Sequence, residues 1–319
     1  LYGMRTTALG MDLVAHLAQI RAQGGPGGGG SPSYGYDLED GIAVMGLHGM
    51  MMKHLPSLAE GTSTALLRLA VRTAKTDAHV RGAMIHADTP GGTVKGTQDL
   101  LDDIAALAAV KPVYVYAEDQ LASAGYYAGT GATRIYANAS AWVGSLGTYG
   151  VVYDTSKAAE IQGVKVEVIS ARELKGAGEP GTEITDAQRA EWLEMIKVMD
   201  GFFIAAFAQG RGMTEARADE LADGRLHIAA KAVQLGLIDG VKSYEEAMSE
   251  LRDNPTPLRP AKGRAAGGQV KAKATGLETL PQPRRATMPE ASTPPEAAEP
   301  TPAAPTTPAA PDPQPQPAA

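Results

Sequence analysis

Ser123 is the residue whose type and position most directly suggest chemistry. It lies in the stretch EDQLASAGYYAGTGA, residues 118–132, directly after KPVYVYA, which reads as a buried strand. A serine between a strand and a helix has two interpretations. Its side-chain oxygen can cap the helix by accepting from an orphan backbone N–H, or the hydroxyl can act as a nucleophile at the positive end of the helix.

Small residues beside Ser123 favour the nucleophile. Ala124, Gly125 and Ala128 give the start of the helix little bulk, as close approach of another backbone requires. Gly91 and Gly92 follow the preceding strand, HAD, at an edge where open α/β sheets bind their ligands. The turn at these glycines could supply one N–H and Ala124 a second, which would stabilise a tetrahedral oxyanion. An ordinary tight turn is the alternative for the glycine pair.

A serine nucleophile also needs a base, and the chain offers histidines and lysines. None of the six histidines lies between Ser123 and His227, and His86 falls inside an apolar strand, so a Ser-His-Asp triad is unsupported. Lys175 differs from the other lysines because it follows the predicted strand VKVEVIS, residues 164–170, and precedes the loop GAGEPG. To take a proton the amine must be neutral, and burial beside small apolar residues would favour that form.

Strands and helices alternate along the middle of the chain. Apolar runs predict strands at 41–49, 80–88, 112–118, 133–140, 143–150 and 164–170, and helical spacing appears at 62–76, 100–108, from Ser123, from Asp154 and from Thr185. This order predicts an α/β domain with parallel strands and both sheet faces covered. A stripe on the last helix is expected to be a packing face, formed by Trp192, Ile196, Met199, Phe203 and Phe207.

Composition divides the chain into three parts. Residues 1–37 form an N-terminal segment with a glycine-rich linker, residues 38–251 form the predicted folded domain, and residues 252–319 hold 16 of the 22 prolines and are expected to be disordered. The stretch MDLVAHLAQI is too short and too polar for a signal peptide, and Leu1 as first residue suggests a fragment. No membrane span is expected.

The absence of cysteine and the net charge exclude several functions. With no cysteine there can be no disulfide, thiolate metal site or cysteine nucleophile. A formal charge of -7 argues against a nucleic-acid partner. We expect no cofactor and no metal, and a location in the cytoplasm, or in a procapsid if the chain is phage-encoded.

Five motifs, in order, resemble those of the signal peptide peptidase A family of serine proteases: DTPGG, ASAGYYAG, VGSLG, SARELKGAGEP and GRLHIAAKAVQLGLID. The resemblance implies a ClpP/crotonase-like superhelix of ββα units, a Ser-Lys dyad and a homo-oligomer. It places the nucleophile at Ser123, the base at Lys175 and the oxyanion hole at Gly91, Gly92 and Ala124, with Gly92 the favoured donor of the pair.

Within that family the chain most resembles the phage head maturation proteases, which process capsid, portal or scaffold proteins. Three alternatives accompany that reading. The chain could be a bacterial signal peptide peptidase that degrades cleaved signal peptides, a crotonase-like acyl-CoA enzyme on the same superhelix, or a shell component with a degenerate site.

Overall fold

The computed structural model describes residues 35–56 and 59–254. Its strands are β1 Asp37–Glu39, β2 Ile42–Met52, β3 Thr62–Ser63, β4 Gly82–Gly92, β5 Val113–Ala122, β6 Arg134–Ala137, β7 Trp142–Gly144, β8 Leu226–Ile228 and β9 Gly240–Val241. Its helices are α1 Thr64–Thr76, α2 Thr97–Ala108, α3 Ser123–Gly129, α4 Ser156–Ile161, α5 Asp186–Arg211, α6 Glu215–Leu221, α7 Ala229–Gln234 and α8 Tyr244–Asp253.

The main sheet is parallel, as the alternating pattern predicts. Its strand order is β1-β2-β4-β5-β6-β9, and every neighbouring pair is parallel except β1 and β2. Helices α1, α2 and α3 each follow a strand, so the crossovers run over the sheet. The α/β class is therefore confirmed.

The long strands bend at mid-length and take part in two ladders. The register between β2 and β4 shifts between His48 and Met50, and that between β4 and β5 shifts between Ala87 and Thr89. Such irregularities bend a strand and re-aim the residues beyond them. Past the bends, β2 pairs with β3 and β5 pairs with β7. Strands β2 and β3 and helix α1 follow one another in the strand-strand-helix order that the resemblance implies.

Apolar side chains fill both faces of the sheet. The larger core joins the sheet to α1, α2, α3 and the second half of α5, where Phe203 and Phe207 are buried. On the opposite face α8 places Met248 and Leu251 against Tyr114. The ring of Phe207 lies 5.7 Å from that of Tyr126, and the Tyr126 hydroxyl donates to the Leu237 carbonyl at 2.7 Å. These contacts fix α3, the helix that begins at Ser123.

The predicted strand at 164–170 is wrong. The segment has no regular secondary structure, and Val164, Val168 and Ile169 are exposed. A strand needs a hydrogen-bonding neighbour, and among the described residues none lies beside this segment. The stripe on α5 is only half a packing face, since Trp192 and Ile196 remain partly exposed and Met199 is exposed.

The predicted N-terminal segment and proline-rich tail lie largely outside the described residues, because residues 1–34 and 255–319 fall there. Across 35–56 and 59–254, no helix has both the length and the apolar character needed to cross a bilayer.

Candidate active site

Ser123 stands at the junction of β5 and α3 and is half-buried. The N-cap of α3 is Ala122, and no side chain accepts a hydrogen bond at this helix start. Ser123 therefore does not cap the helix, and its hydroxyl is available for another role. The side chain opens onto a cavity described below.

The backbone of Ser123 is strained. Its φ is 48°, in the left-handed region, where a residue with a Cβ pays about 1–2 kcal/mol. Non-glycine residues in such conformations cluster at functional sites, where the surrounding structure holds them in place. A sharp strand-to-helix turn of this kind exposes the side chain at its tip, as in the nucleophile elbow of the α/β-hydrolase fold.

Gly91 lies directly against Ser123. A Cβ at Gly91 would come within 2.7 Å of the Ser123 Cβ and 2.8 Å of the Ala124 nitrogen. The φ of Gly91 is 96°, which also favours glycine. The end of β4 and the start of α3 can therefore meet backbone to backbone only because this residue has no side chain.

The two glycines of the turn differ in their hydrogen bonds. The Gly91 N–H donates to Thr89 Oγ1 at 3.0 Å, and Thr89 Oγ1 donates to the Gly49 carbonyl at 2.6 Å. Gly92 lines the cavity together with Ala124. Because the next residue, Thr93, donates to the Met51 carbonyl on β2 and successive N–H groups of a strand alternate in direction, the Gly92 N–H is directed away from β2. A Cβ at Gly92 would lie 1.9 Å from the Met51 carbonyl oxygen, so only glycine fits there.

A cavity of about 390 Å³ opens beside Ser123 between α2, α3 and α5. Its walls are mostly apolar and aromatic, and they include Gly92, Val94, Thr97, Gln98, Asp102, Ser123, Ala124, Tyr127, Gly147, Thr148, Tyr149, Met199, Phe202 and Phe203. The volume is within the range of about 300–1,000 Å³ that is usual for ligand pockets. A side chain of a ligand bound beside Ser123 would have room here.

The loop of residues 145–149 forms one wall of the cavity and is tied to α5. The Thr148 N–H donates to Asp200 Oδ1 at 2.7 Å. Ser145 in this loop also has a left-handed φ, 50°. Thus the wall contributed by Gly147, Thr148 and Tyr149 depends for its position on the helix that carries Met199, Phe202 and Phe203.

Lys175 lies apart from this cavity in the described chain. It is exposed, its N–H donates to the Arg172 carbonyl at 3.0 Å in a turn, and it is not among the residues that line the cavity. The local reason for choosing Lys175 also changes, because the segment before it is not a strand. Its role as the base stays a prediction.

No histidine lines the cavity among the described residues. His86, expected to be a core residue, is half-exposed and faces His48 at 3.3 Å and Glu118 at 3.2 Å. His227 is in β8, paired with Val143 of β7.

Sequence reasoning missed the polar side chains of the cavity. The Tyr127 hydroxyl donates to Gln98 Oε1, and Gln98 Nε2 donates to Asp102 Oδ1 at 3.0 Å. Burial raises the pKa of the Tyr127 phenol, so this group stays a protonated donor. A signal did exist, because Tyr127 lies four residues after Ser123 and Asp102 four residues after Gln98, the spacing that places helical side chains on one face.

Sequence comparison finds a peptidase family model and named proteases that resemble this chain. Residues 105–256, which include Ser123 and Lys175, match the family model "Peptidase family S49". Capsid assembly protease C of Escherichia phage lambda is 27% identical over 240 residues, covering 74% of this chain and 53% of that protein. A putative signal peptide peptidase SppA of Enterococcus faecium is 27% identical over 177 residues, covering 55% of this chain and 52% of that protein.

Solved structures superpose on this chain with TM-scores below 0.5 in the two examples that follow. An enoyl-CoA hydratase from Mycobacterium avium subsp. paratuberculosis aligns with a TM-score of 0.44 at 15% identity, covering 71% of this chain and 82% of that chain. A membrane-bound stomatin-specific protease in complex with a substrate peptide aligns with a TM-score of 0.41 at 17% identity, covering 65% of this chain and 77% of that chain.

This chain spans about half the length of the two curated relatives described. The matched residues contain four of the five motifs, from ASAGYYAG around Ser123 to the segment around His227, and the glycine turn DTPGG precedes them. Residues 105–256 therefore resemble peptidase family S49, and the resemblance of the chain to the signal peptide peptidase A family is confirmed.

Proposed function

We propose that the chain is a serine endopeptidase in which Ser123 is the nucleophile. The observation that carries the proposal is the strained backbone of Ser123. It holds a hydroxyl that does not cap the helix at the mouth of a cavity, beside Gly92 and Ala124. The match of residues 105–256 to a peptidase family model supports the same reaction class.

In the proposed reaction, Ser123 Oγ attacks the carbonyl carbon of the scissile peptide bond and its proton passes to a neutral Lys175 amine. The carbonyl oxygen becomes an oxyanion that accepts from the N–H groups of Gly92 and Ala124. Collapse of the tetrahedral intermediate breaks the C–N bond, and the leaving amine takes the proton from Lys175. Water then attacks the acyl-enzyme, gives its proton to Lys175 and releases the acid, and Ser123 regains its proton.

Self-assembly would provide the burial that Lys175 lacks in the single chain. Residues 149–202, which we call the arm, expose many large apolar side chains, namely Tyr149, Val151, Val152, Tyr153, Ile161, Val164, Val168, Ile169, Leu174, Leu193, Met195, Val198, Met199 and Phe202. Exposed apolar surface of this extent marks an interaction site. We propose a homo-oligomer in which a neighbouring copy covers the arm and buries Lys175, so that its amine can lose its proton.

The proposed substrates are polypeptides of capsid assembly, such as capsid, portal or scaffold proteins, and the site of action is the host cytoplasm or the procapsid. The relative named for capsid assembly supports this choice, since its match covers 74% of the chain. Cleaved signal peptides are the second candidate, and the relative named as a signal peptide peptidase supports them over 55% of the chain.

Cleavage of a casein-like substrate by wild type, Ser123→Ala and Lys175→Ala tests the proposed function. We expect both variants to lose at least about 1,000-fold in kcat/KM. We also expect the wild-type rate to rise from neutral to alkaline pH, because a protonated base cannot accept the serine proton. Equal cleavage by all three proteins would exclude the proposal, and tight calorimetric binding of an acyl-CoA would favour the crotonase-like alternative.

A further inference from the structure

The cavity beside Ser123 has one charged side chain in its wall. Of the lining residues found in the described chain, only Asp102 carries a charge, and the remainder are apolar, aromatic, glycine or neutral polar. The aromatic part is closely packed, since the rings of Tyr127 and Phe203 lie 5.1 Å apart and both residues are buried. A side chain that enters the cavity therefore meets apolar surface along its length and a carboxylate at one point.

The charge of Asp102 is not balanced by a neighbouring cation. Helix α2 carries three aspartates, and two of them pair with arginines of α1: Asp99 with Arg68 at 2.7 Å, and Asp103 with Arg68 at 2.8 Å and with Arg72 at 2.9 Å. Within residues 35–56 and 59–254, Asp102 has a hydrogen bond from Gln98 and no ion pair with a lysine, arginine or histidine. The negative charge in the cavity is therefore available to a substrate.

The hydrogen bonds of the wall also have a fixed direction. Tyr127 donates to the Gln98 carbonyl oxygen, which leaves the Gln98 amide group to donate to Asp102. Each step points its donor toward the carboxylate, and an ionised carboxylate has about four acceptor positions in total. The Asp102 carboxylate, at the end of this series of hydrogen bonds, thus has spare acceptor positions. It matches a substrate group that brings donors.

We propose that Asp102 makes this cavity selective for a long side chain with an apolar stem and a positively charged end, that of lysine or arginine, at the substrate residue whose carbonyl Ser123 attacks. This inference rests on the proposed peptidase function and adds the substrate class. The apolar walls bind the methylene stem, as lysine and arginine stems commonly do on apolar surfaces. The carboxylate attracts the cationic end and repels a glutamate at the same position.

The test uses fluorogenic peptides that differ at that one residue, which is lysine, methionine, glutamine or glutamate. For the full wild-type chain we expect kcat/KM for lysine to exceed that for glutamate by at least about tenfold, with methionine and glutamine between them. In Asp102→Asn the ratio should fall to within about twofold, and in Asp102→Lys it should invert. Asp99→Asn is the matched control, because it removes a charge from the same helix that Arg68 already balances, and it should keep the wild-type ratio.

Equilibrium binding separates this inference from the proposed function. Anisotropy of the lysine and glutamate peptides is measured on Ser123→Ala, which keeps the cavity, and on Ser123→Ala combined with Asp102→Asn. A preference for lysine of about tenfold in Kd that disappears in the double variant supports the inference even if no peptide is cleaved. Equal affinities for the two peptides, or a preference that survives in the double variant, would overturn it. Failure of Ser123→Ala to reduce cleavage would instead overturn the proposed nucleophile.

Discussion

At the scale of the residue, the strained backbone of Ser123 fixes the position of its hydroxyl and lowers the free energy of unfolding of the chain. A left-handed φ of 48° is unfavourable for any residue with a Cβ and costs nothing to glycine. We expect Ser123→Gly to be more stable than Ser123→Ala by up to about 1 kcal/mol, although both variants lack the hydroxyl.

Urea unfolding of the two variants measures this difference. The comparison Ala128→Gly is the control, because Ala128 lies within α3 without a positive φ, and glycine there should destabilise the chain by about 0.5–1 kcal/mol. If glycine destabilised both positions equally, Ser123 would not be strained in solution.

Asp77 gives the acid side of the stability profile. Its carboxylate accepts from the Tyr36 hydroxyl at 2.7 Å and the His79 N–H at 2.9 Å, and these bonds lower its pKa from 3.8 to about 2. The Asp77 carboxylate binds a proton less readily in the folded chain than in the unfolded chain. Its contribution to the stability of the fold is therefore present above about pH 4 and is lost as the pH falls toward 2.

Tyr36→Phe removes the hydrogen bond that lowers the pKa of Asp77 the most. The stability difference from wild type should be greatest above pH 4 and should shrink toward pH 2, as urea unfolding over that range would record. Tyr116→Phe is a suitable control, since the Tyr116 hydroxyl donates to the Lys242 carbonyl, which does not titrate. A difference that stays constant with pH would mean that the Tyr36 hydroxyl does not act through the Asp77 carboxylate.

At the scale of the element, the glycine turn at the end of β4 positions the start of α3. Gly91→Ala would place a Cβ within 2.7 Å of the Ser123 Cβ and would displace Ser123, the proposed nucleophile. We expect kcat/KM to fall by about 100-fold while the chain stays folded, because misplacement of a reacting group by about 1 Å costs that much.

Gly212→Ala is the matched control for this turn. Gly212 also has a positive φ, 66°, but a Cβ there would meet no atom within 4 Å. It should lose a similar amount of stability and keep its activity. Equal activity losses in the two variants would show that backbone strain, and not contact with Ser123, causes the effect.

The elements themselves were predictable where the pattern was local. The apolar runs that became β2, β4 and β5 and the helical spacing of α1 and α2 depend on neighbours in sequence. The start of α5 also follows from a local signal, since Thr185 and Gln188 form a capping box. The prediction of a strand at 164–170 failed because an apolar run does not reveal whether a neighbouring strand is present to accept its hydrogen bonds.

The site was predictable only in part. Ser123, Gly92 and Ala124 do line one cavity, and their small neighbours indicated this. The strain at Ser123 could not be inferred, because left-handed serine has no sequence signal. The unbalanced charge of Asp102 depends on which aspartates the arginines of α1 reach, and that is set by how α1 packs on α2.

At the scale of the whole molecule, Lys175 and Ser123 can be tested for action across chains. Ser123→Ala carries an intact lysine, and Lys175→Ala carries an intact serine. If a lysine serves the serine of a neighbouring copy, mixing equal amounts of the two inactive variants under exchange should restore about a quarter of wild-type activity, the fraction of sites that hold both residues.

The control for the mixing experiment is Ser123→Ala mixed with the double variant that lacks both residues, which should stay inactive. Analytical ultracentrifugation of each sample shows whether mixed assemblies form. Mixed assemblies without any recovered activity would place the lysine and the serine of each site within one chain.

The hydrogen bond from the Thr148 N–H to Asp200 joins the cavity wall to α5, whose outer residues belong to the arm. Any partner that packs on the arm therefore also steadies the substrate pocket. If the proposed homo-oligomer forms, dilution that separates the copies removes that support, and we expect the turnover per chain to fall below its value at high concentration. Such a chain would hydrolyse its targets chiefly where many copies are gathered, and a stray copy would do little damage.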